Sequence, residues 1–187
     1  MTESRRCRER YGIVAQIFHW SMGVLILCQF AIGRFAGSLE PGIERLIWLS
    51  RHKSLGLTIL VLMLVRLLWR WAAPPPPLPD QMPIWEQRVA HLAHSSIYLL
   101  VVVSALVGWL AASARGLSVN WFGVFLVPDV VDKNRFLGDV LSGAHQALVY
   151  ALAALLIAHI AAGLQHALIR RDGVISRMLP EFLDKRK

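Results

Sequence analysis

Long apolar stretches alternate with short polar, basic ones along this chain. Tyr11 to Gly33, Val89 to Ala114 and Val140 to Ile169 each lack any Lys, Arg, Asp or Glu. A helix needs about 20 such residues to cross a hydrocarbon core roughly 30 Å thick. A fourth charge-free stretch, Ser54 to Val65, is shorter, but Arg51, Lys53, Arg66 and Arg70 flank it. Long basic side chains near a span end reach back to the membrane surface, so this stretch also reads as the centre of a span. The pattern predicts four spanning helices, over residues 12–35, 46–71, 89–113 and 141–169. Gly37, Pro41 and Gly42 mark the first connector as a turn, and Pro74-Pro75-Pro76-Pro77 ends the second helix in a stiff link. The 115–140 linker contains Trp121-Phe122-Gly123-Val124-Phe125-Leu126. That patch is too short to cross a membrane and too apolar for water, so an interfacial segment with an aromatic anchor is expected. The predicted fold class is all-α: a transmembrane four-helix bundle forming a single membrane domain.

Composition agrees with this pattern. The chain has 187 residues, 56% hydrophobic and only 17% charged, which excludes an ordinary soluble domain. Its formal charge of +8 flanks apolar spans rather than lining a soluble face, so it reads as topology and not as nucleic-acid binding. Of the 20 Lys and Arg, seven lie on one side: Arg34, Arg45, Arg51, Lys53, Arg115, Lys133 and Arg135. The others, among them Arg5, Arg6, Arg8 and Arg10, lie with the termini and the second connector. The positive-inside rule then puts both termini in the cytoplasm. The first apolar run is longer than a signal-peptide core and contains His19, so it is expected to remain as a mature helix. Cys7 and Cys28 fall at different depths, which argues against a disulfide between them. No Cys-x-x-Cys-His is present, so any haem is held without c-type attachment.

The candidate chemistry lies in the histidines. An ionisable group inside a span is costly and is a functional candidate by default. His145 and His159 are 14 residues apart, which on a helix places them on nearly one face, about 21 Å apart in depth. By depth, His19 pairs with His159 at the inner level and His52 with His145 at the outer level. Four histidines in two pairs at two levels look like two bis-histidine haems, with irons separated by about 20 Å. Filling both axial positions leaves oxygen no open site and favours electron transfer by the haem edge. For each histidine the bland alternative is a buried side chain bonded to a neighbouring helix. His166, seven residues after His159 on the same face, is an alternative inner ligand or a contact to a haem propionate or lipid headgroup. His91 and His94 are either interfacial or line a quinone pocket, where they would serve as proton donors. Gly56, four residues after His52, is the glycine best placed to lie beside a haem; ordinary helix packing is its alternative.

Several ordered motifs resemble the prokaryotic cytochrome b561 family. They are Arg10-Tyr11 through His19-Trp20, Arg51-His52-Lys53-Ser54-Leu55-Gly56 and Val65-Arg66-Leu67-Leu68-Trp69-Arg70. Ala90-His91-Leu92-Ala93-His94 with Tyr98, and Ala144-His145-Gln146 with His159 and His166, continue the set. Arg171-Asp172-Gly173 to Met178-Leu179-Pro180 ends a likeness that covers residues 9–180. The resemblance implies a multi-pass bacterial inner-membrane protein with two non-covalent b-type haems on His19, His52, His145 and His159, exchanging electrons with the quinone pool. Some relatives are assigned the oxidation of periplasmic superoxide, with ubiquinone as acceptor. Arg34, Arg51 and Lys53 surround the outer level, where a cationic field would steer a small anionic donor; the bland alternative is contact with headgroups. Two other classes of function compete. One is a membrane-anchor cytochrome subunit that relays electrons for a partner dehydrogenase or hydrogenase. The other is a haem-free structural or transport bundle.

Overall fold

A computed structural model describes residues 10–77 and 82–180. Arg5, Arg6, Arg8 and Cys7 lie outside them, so the expectations placed on those side chains are not addressed. Four long helices dominate: α1 (Ile13–Ser38), α2 (Ile43–Ala72), α3 (Ile84–Ala114) and α4 (Arg135–Leu164), the last continuing through a π-helical turn at Gln165–Arg170. All four are long and apolar enough to cross a membrane. Each starts or stops where the chain dictates. Gly42 precedes α2 in an extended conformation, and α2 stops at Ala73, which the following proline keeps out of the helical region. The Asn134 side chain caps α4 by accepting from the Leu137 N–H at 3.0 Å.

The helices form two hairpins. α1 packs along α2 and α3 packs along α4, with α2 against α3 joining the two. By contrast, α4 makes almost no backbone-level contact with α1 or α2. The shared core sits at mid-height: Met22 and Ile26 from α1, Ile59 and Met63 from α2, Ile97 and Val101 from α3, and Leu152 from α4. Elsewhere large apolar side chains such as Ile17, Val24, Leu68 and Ile157 point outward, as helices solvated by lipid require.

The linker after α3 folds back as a small antiparallel hairpin, β1 (Asn120–Trp121) with β2 (Phe125–Leu126). Phe122 (φ 47°) and Gly123 (φ 79°) both take the left-handed conformation that such tight turns require. Ser54, buried on α2, donates to the Asn120 carbonyl at 3.0 Å and accepts from the Phe122 N–H at 3.1 Å. The Trp121 indole is not an outward anchor: its N–H donates to the Thr58 hydroxyl at 3.0 Å, so the ring belongs to the bundle. Phe122, Val124, Phe125 and Leu126 form the exposed apolar edge instead.

At the opposite end, the two ends of the described chain meet. The Tyr11 N–H donates to the Arg177 carbonyl, the Arg10 guanidinium to the Ser176 and Leu179 carbonyls, and the Trp20 indole to the Met178 carbonyl. Arg177 donates to Pro77 of the second connector at 2.7 Å. Arg170 forms a bidentate pair with Glu86, joining the end of α4 to the start of α3.

Candidate functional site

Five of the seven histidines gather at two levels. At one, the rings of His52 (α2) and His145 (α4) have centroids 6.2 Å apart. At the other, His19 (α1) and His159 (α4) lie 6.1 Å apart. α4 therefore contributes one histidine to each level, 14 residues or about 21 Å apart along the helix. Both pairs bridge helices that otherwise barely touch. A metal ion sits about 2.0 Å from an imidazole nitrogen, so two rings clasping one metal from opposite sides have centroids about 6 Å apart. Among the described residues, no set of three His, Cys, Asp or Glu side chains converges to hold a bare ion.

Around the outer pair, small residues let other elements come close. A Cβ on Gly33 would lie 2.7 Å from the His52 ring, and one on Gly108 would lie 3.0 Å from the His145 ring. His145 Nδ1 is 2.8 Å from the Ser104 carbonyl, the contact that fixes a ring's tautomer and leaves Nε2 free to ligate. His52 meets Gln29 of α1, whose amide donates to the His52 carbonyl at 2.9 Å and lies 3.4 Å from Nε2. Three buried polar atoms at this end, Gln29 Oε1, His52 Nδ1 and Trp109 Nε1, have no partner among the described residues. Gly56, the glycine expected to lie beside a haem, faces Gln29. A Cβ there would meet Gln29 Nε2 at 2.8 Å, so this glycine makes room for Gln29. Gly56→Ala should therefore act like Gln29→Leu, with both loosening His52. Similar changes in the absorption of the purified pair would show this, whereas an altered Gln29→Leu beside an unaltered Gly56→Ala would rule it out.

At the inner level a third imidazole joins the pair. His94 of α3 lies 5.2 Å from the His159 ring and spends Nδ1 on the Ala90 carbonyl at 2.6 Å. The Arg66 guanidinium approaches His19 Nδ1 at 3.4 Å and the Tyr98 hydroxyl at 3.5 Å. His91 is exposed and apart from this cluster. His166 bonds to Asp172 at 2.5 Å instead of facing His19. Burial raises the Asp172 carboxyl, but the bonds from His166 and from the Val174 N–H, with the His166 charge, together outweigh it and leave the group below its usual value.

The three cations expected to steer a donor have different surroundings. Arg34 is exposed. Arg51 is also exposed and stacks over Trp48 at 4.5 Å. Lys53 is half-buried and donates to the Leu117 and Ser118 carbonyls at 2.9 and 3.2 Å, pinning the linker. The sequence alone assigned Gln29 no role, and marked Gly33, Gly108, Arg66 and Tyr98 only as span glycines, a span-end cation and part of a family motif. A glutamine and an arginine within apolar spans were available as signals; which glycines face the rings depends on helix rotation and was not.

The comparisons agree with this architecture. The family model described as Prokaryotic cytochrome b561 matches residues 10–181. Cytochrome b561 homolog 2 of Escherichia coli K12 is 30% identical over 178 residues, covering 91% of this chain and 92% of the relative. A Yersinia pestis protein named Probable superoxide oxidase CybB is 27% identical over 92% of this chain and 97% of its own length. Cytochrome b561 homolog 1 of Escherichia coli K12 is 25% identical, over 91% and 97%. Members of this family are bacterial inner-membrane, multi-pass electron-transfer cytochromes that bind b-type haem. With four spanning helices and a match over nearly its whole length, the chain belongs to the prokaryotic cytochrome b561 family.

Proposed function

We propose that the chain is a dihaem cytochrome that carries electrons from a small donor outside the inner membrane to the quinone pool. His52 and His145 hold the outer haem iron, and His19 and His159 hold the inner one. One observation carries this reading: both imidazole pairs span seams where α4 stands off from α1 and α2. Helices that stand apart there, with ring centroids about 6 Å apart, suit two imidazoles on one haem iron. His94 is a weaker choice for the inner iron, because α3 and α4 pack tightly and leave no such space between His94 and His159. His166 is committed to Asp172.

The bound haems supply reversible one-electron chemistry. The residues provide its setting. Ser104 orients His145 through its carbonyl, Gln29 ties His52 to α1, and the mid-height core separates the two levels with apolar side chains. The end of the bundle where residues 10–20 meet residues 176–179 is the cytoplasmic one, in line with the excess of Lys and Arg assigned to that side. The name of the Yersinia pestis relative supports superoxide as the donor. Two superoxide ions each lose one electron to become oxygen, and ubiquinone takes both electrons with two protons to become ubiquinol.

The test is the haem-to-protein ratio of the detergent-purified chain, with oxidised and reduced visible spectra, followed by reoxidation with ubiquinone-1. Two low-spin b-type haems per chain, reoxidised by the quinone, are expected; a haem-free chain after expression with ample haem would overturn the reading. Steering is tested separately. Replacing Arg34 and Arg51 by glutamine should slow haem reduction by superoxide and flatten its dependence on salt. An unchanged rate and salt response would remove the role. Lys53 is left intact in this experiment, because its loss would also release the linker.

A further inference from the structure

We propose that the corner where α3 ends and α4 begins binds the phosphate of an anionic phospholipid, with Arg115, Lys133 and Arg135 as its cations. A cavity of about 350 Å³ opens there, lined by these three side chains, Asp139 and the buried Ala114. That volume accommodates a phosphoglycerol headgroup. Arg115 follows Gly108 by seven residues, and Gly138 precedes His145 by seven. Gly108 lies against the His145 ring, so the cavity sits about 10 Å outward of the His52–His145 level. It is therefore at the end of the spans, where lipid phosphates lie, and apart from both histidine levels.

These cations are built into the corner. Arg115 pairs with Asp139 at 2.7 Å, whereas Lys133 and Arg135 have no carboxylate partner among the described residues. The lining thus carries two positive charges in excess. Two glycines seat the side-chain stems. A Cβ on Gly138 would lie 2.6 Å from Arg115 Cγ, and one on Gly116 would lie 3.1 Å from Lys133 Cδ and Cε. Gly116 is also required by its left-handed backbone (φ 67°) just past α3. Gly138 has no such need, because it lies inside α4, where alanine favours the helix. Room for the Arg115 stem accounts for it. The Asn134 N–H donates to the Ala114 carbonyl at 2.8 Å and fixes the two helix ends beside each other. Lysine and arginine can only donate hydrogen bonds, and a phosphodiester offers a negative charge on two unesterified oxygens that only accept. Stems held by packing lose less freedom when they bind it. The apolar surroundings select a lipid as the source of the phosphate. Phe136 and Val140 form the next row of α4, are both exposed, and give acyl chains a track from the cavity into the membrane.

The experiment uses the full chain as purified in a neutral detergent and washed free of native lipid. Dioctanoyl phosphatidylglycerol, dioctanoyl phosphatidylcholine and inorganic phosphate are titrated separately. Native mass spectrometry counts bound lipid, and the thermal midpoint of unfolding gives a second readout. One phosphatidylglycerol is expected to bind at the lowest concentrations and to raise the midpoint, with phosphatidylcholine of the same chain length far weaker. Lys133→Gln and Arg135→Gln should each weaken phosphatidylglycerol about tenfold, the loss of one charge-assisted hydrogen bond. Gly138→Ala keeps every charge but displaces the Arg115 stem, and should weaken it as well. Wild-type affinity for phosphatidylglycerol in both charge variants would overturn the proposal, as would equal affinity of the wild type for the two lipids. A midpoint raised by inorganic phosphate and not by phosphatidylglycerol would overturn the lipid and assign the corner to a soluble anion. Unfolding of both charge variants without any lipid added would overturn the site by giving these cations a structural task.

Discussion

The chain carrying His145→Ala is expected to lose the outer haem and keep the inner one, giving about half the wild-type haem per protein, and His159→Ala should do the reverse. Each variant removes one of two iron ligands, and the other three proposed ligands are untouched. The two levels are about 21 Å apart along α4, and the buried cluster around Leu152 and Met63 lies between them. Removing an imidazole from one level therefore leaves the packing that supports the other. Redox titration of the residual absorption checks this: one component should disappear and the other should keep its midpoint. Equal loss of both components from a variant that stays folded and monodisperse would contradict separate sites.

The second large effect is steric. Gly33→Ala and Gly108→Ala place a methyl group 2.7 and 3.0 Å from the His52 and His145 rings. Alanine is better than glycine in a helix by about 1 kcal/mol, so without a clash both changes would stabilise the chain. Overpacking a fitted contact costs about 1–3 kcal/mol, and here it would be relieved by turning a ring that must hold its direction. Both variants should lose outer haem while the inner haem stays in place. Gly23→Ala is the control, because a Cβ there meets nothing within 4 Å. It should leave haem content unchanged and not lower the thermal midpoint. If Gly33→Ala and Gly108→Ala retain the outer haem as fully as Gly23→Ala does, the close approach has no role in holding the ring.

Much of this was legible in the sequence, for physical reasons. A chain crossing lipid must pair its backbone polar groups internally, so each long charge-free run had to become a helix. Depth is also linear in residue number along a helix, which brought His19 to His159 and His52 to His145 by counting alone. The helix ends were less legible. α3 begins at Ile84 and includes Glu86, which the sequence alone left outside the span, because Arg170 arrives from α4 to pair with it. Rotation about the helix axes was not legible, because packing sets it. That is why Gly33 and Gly108, which lie against the His52 and His145 rings, could not be told from the other span glycines. For the same reason His94 could not be seen approaching His159. Which aromatic of the 121–126 patch faces outward was not legible either: a hydroxyl on α2 draws Trp121 inward and leaves Phe122 and Phe125 exposed.

The clasp between Arg10, Tyr11 and Trp20 and the segment Ser176 to Leu179 also ties the start of α1 to the chain beyond α4. Because α4 barely touches α1 along its length, this closure couples the two hairpins at the level where His19 faces His159. A break in the clasp would let the hairpins part at that level before the other.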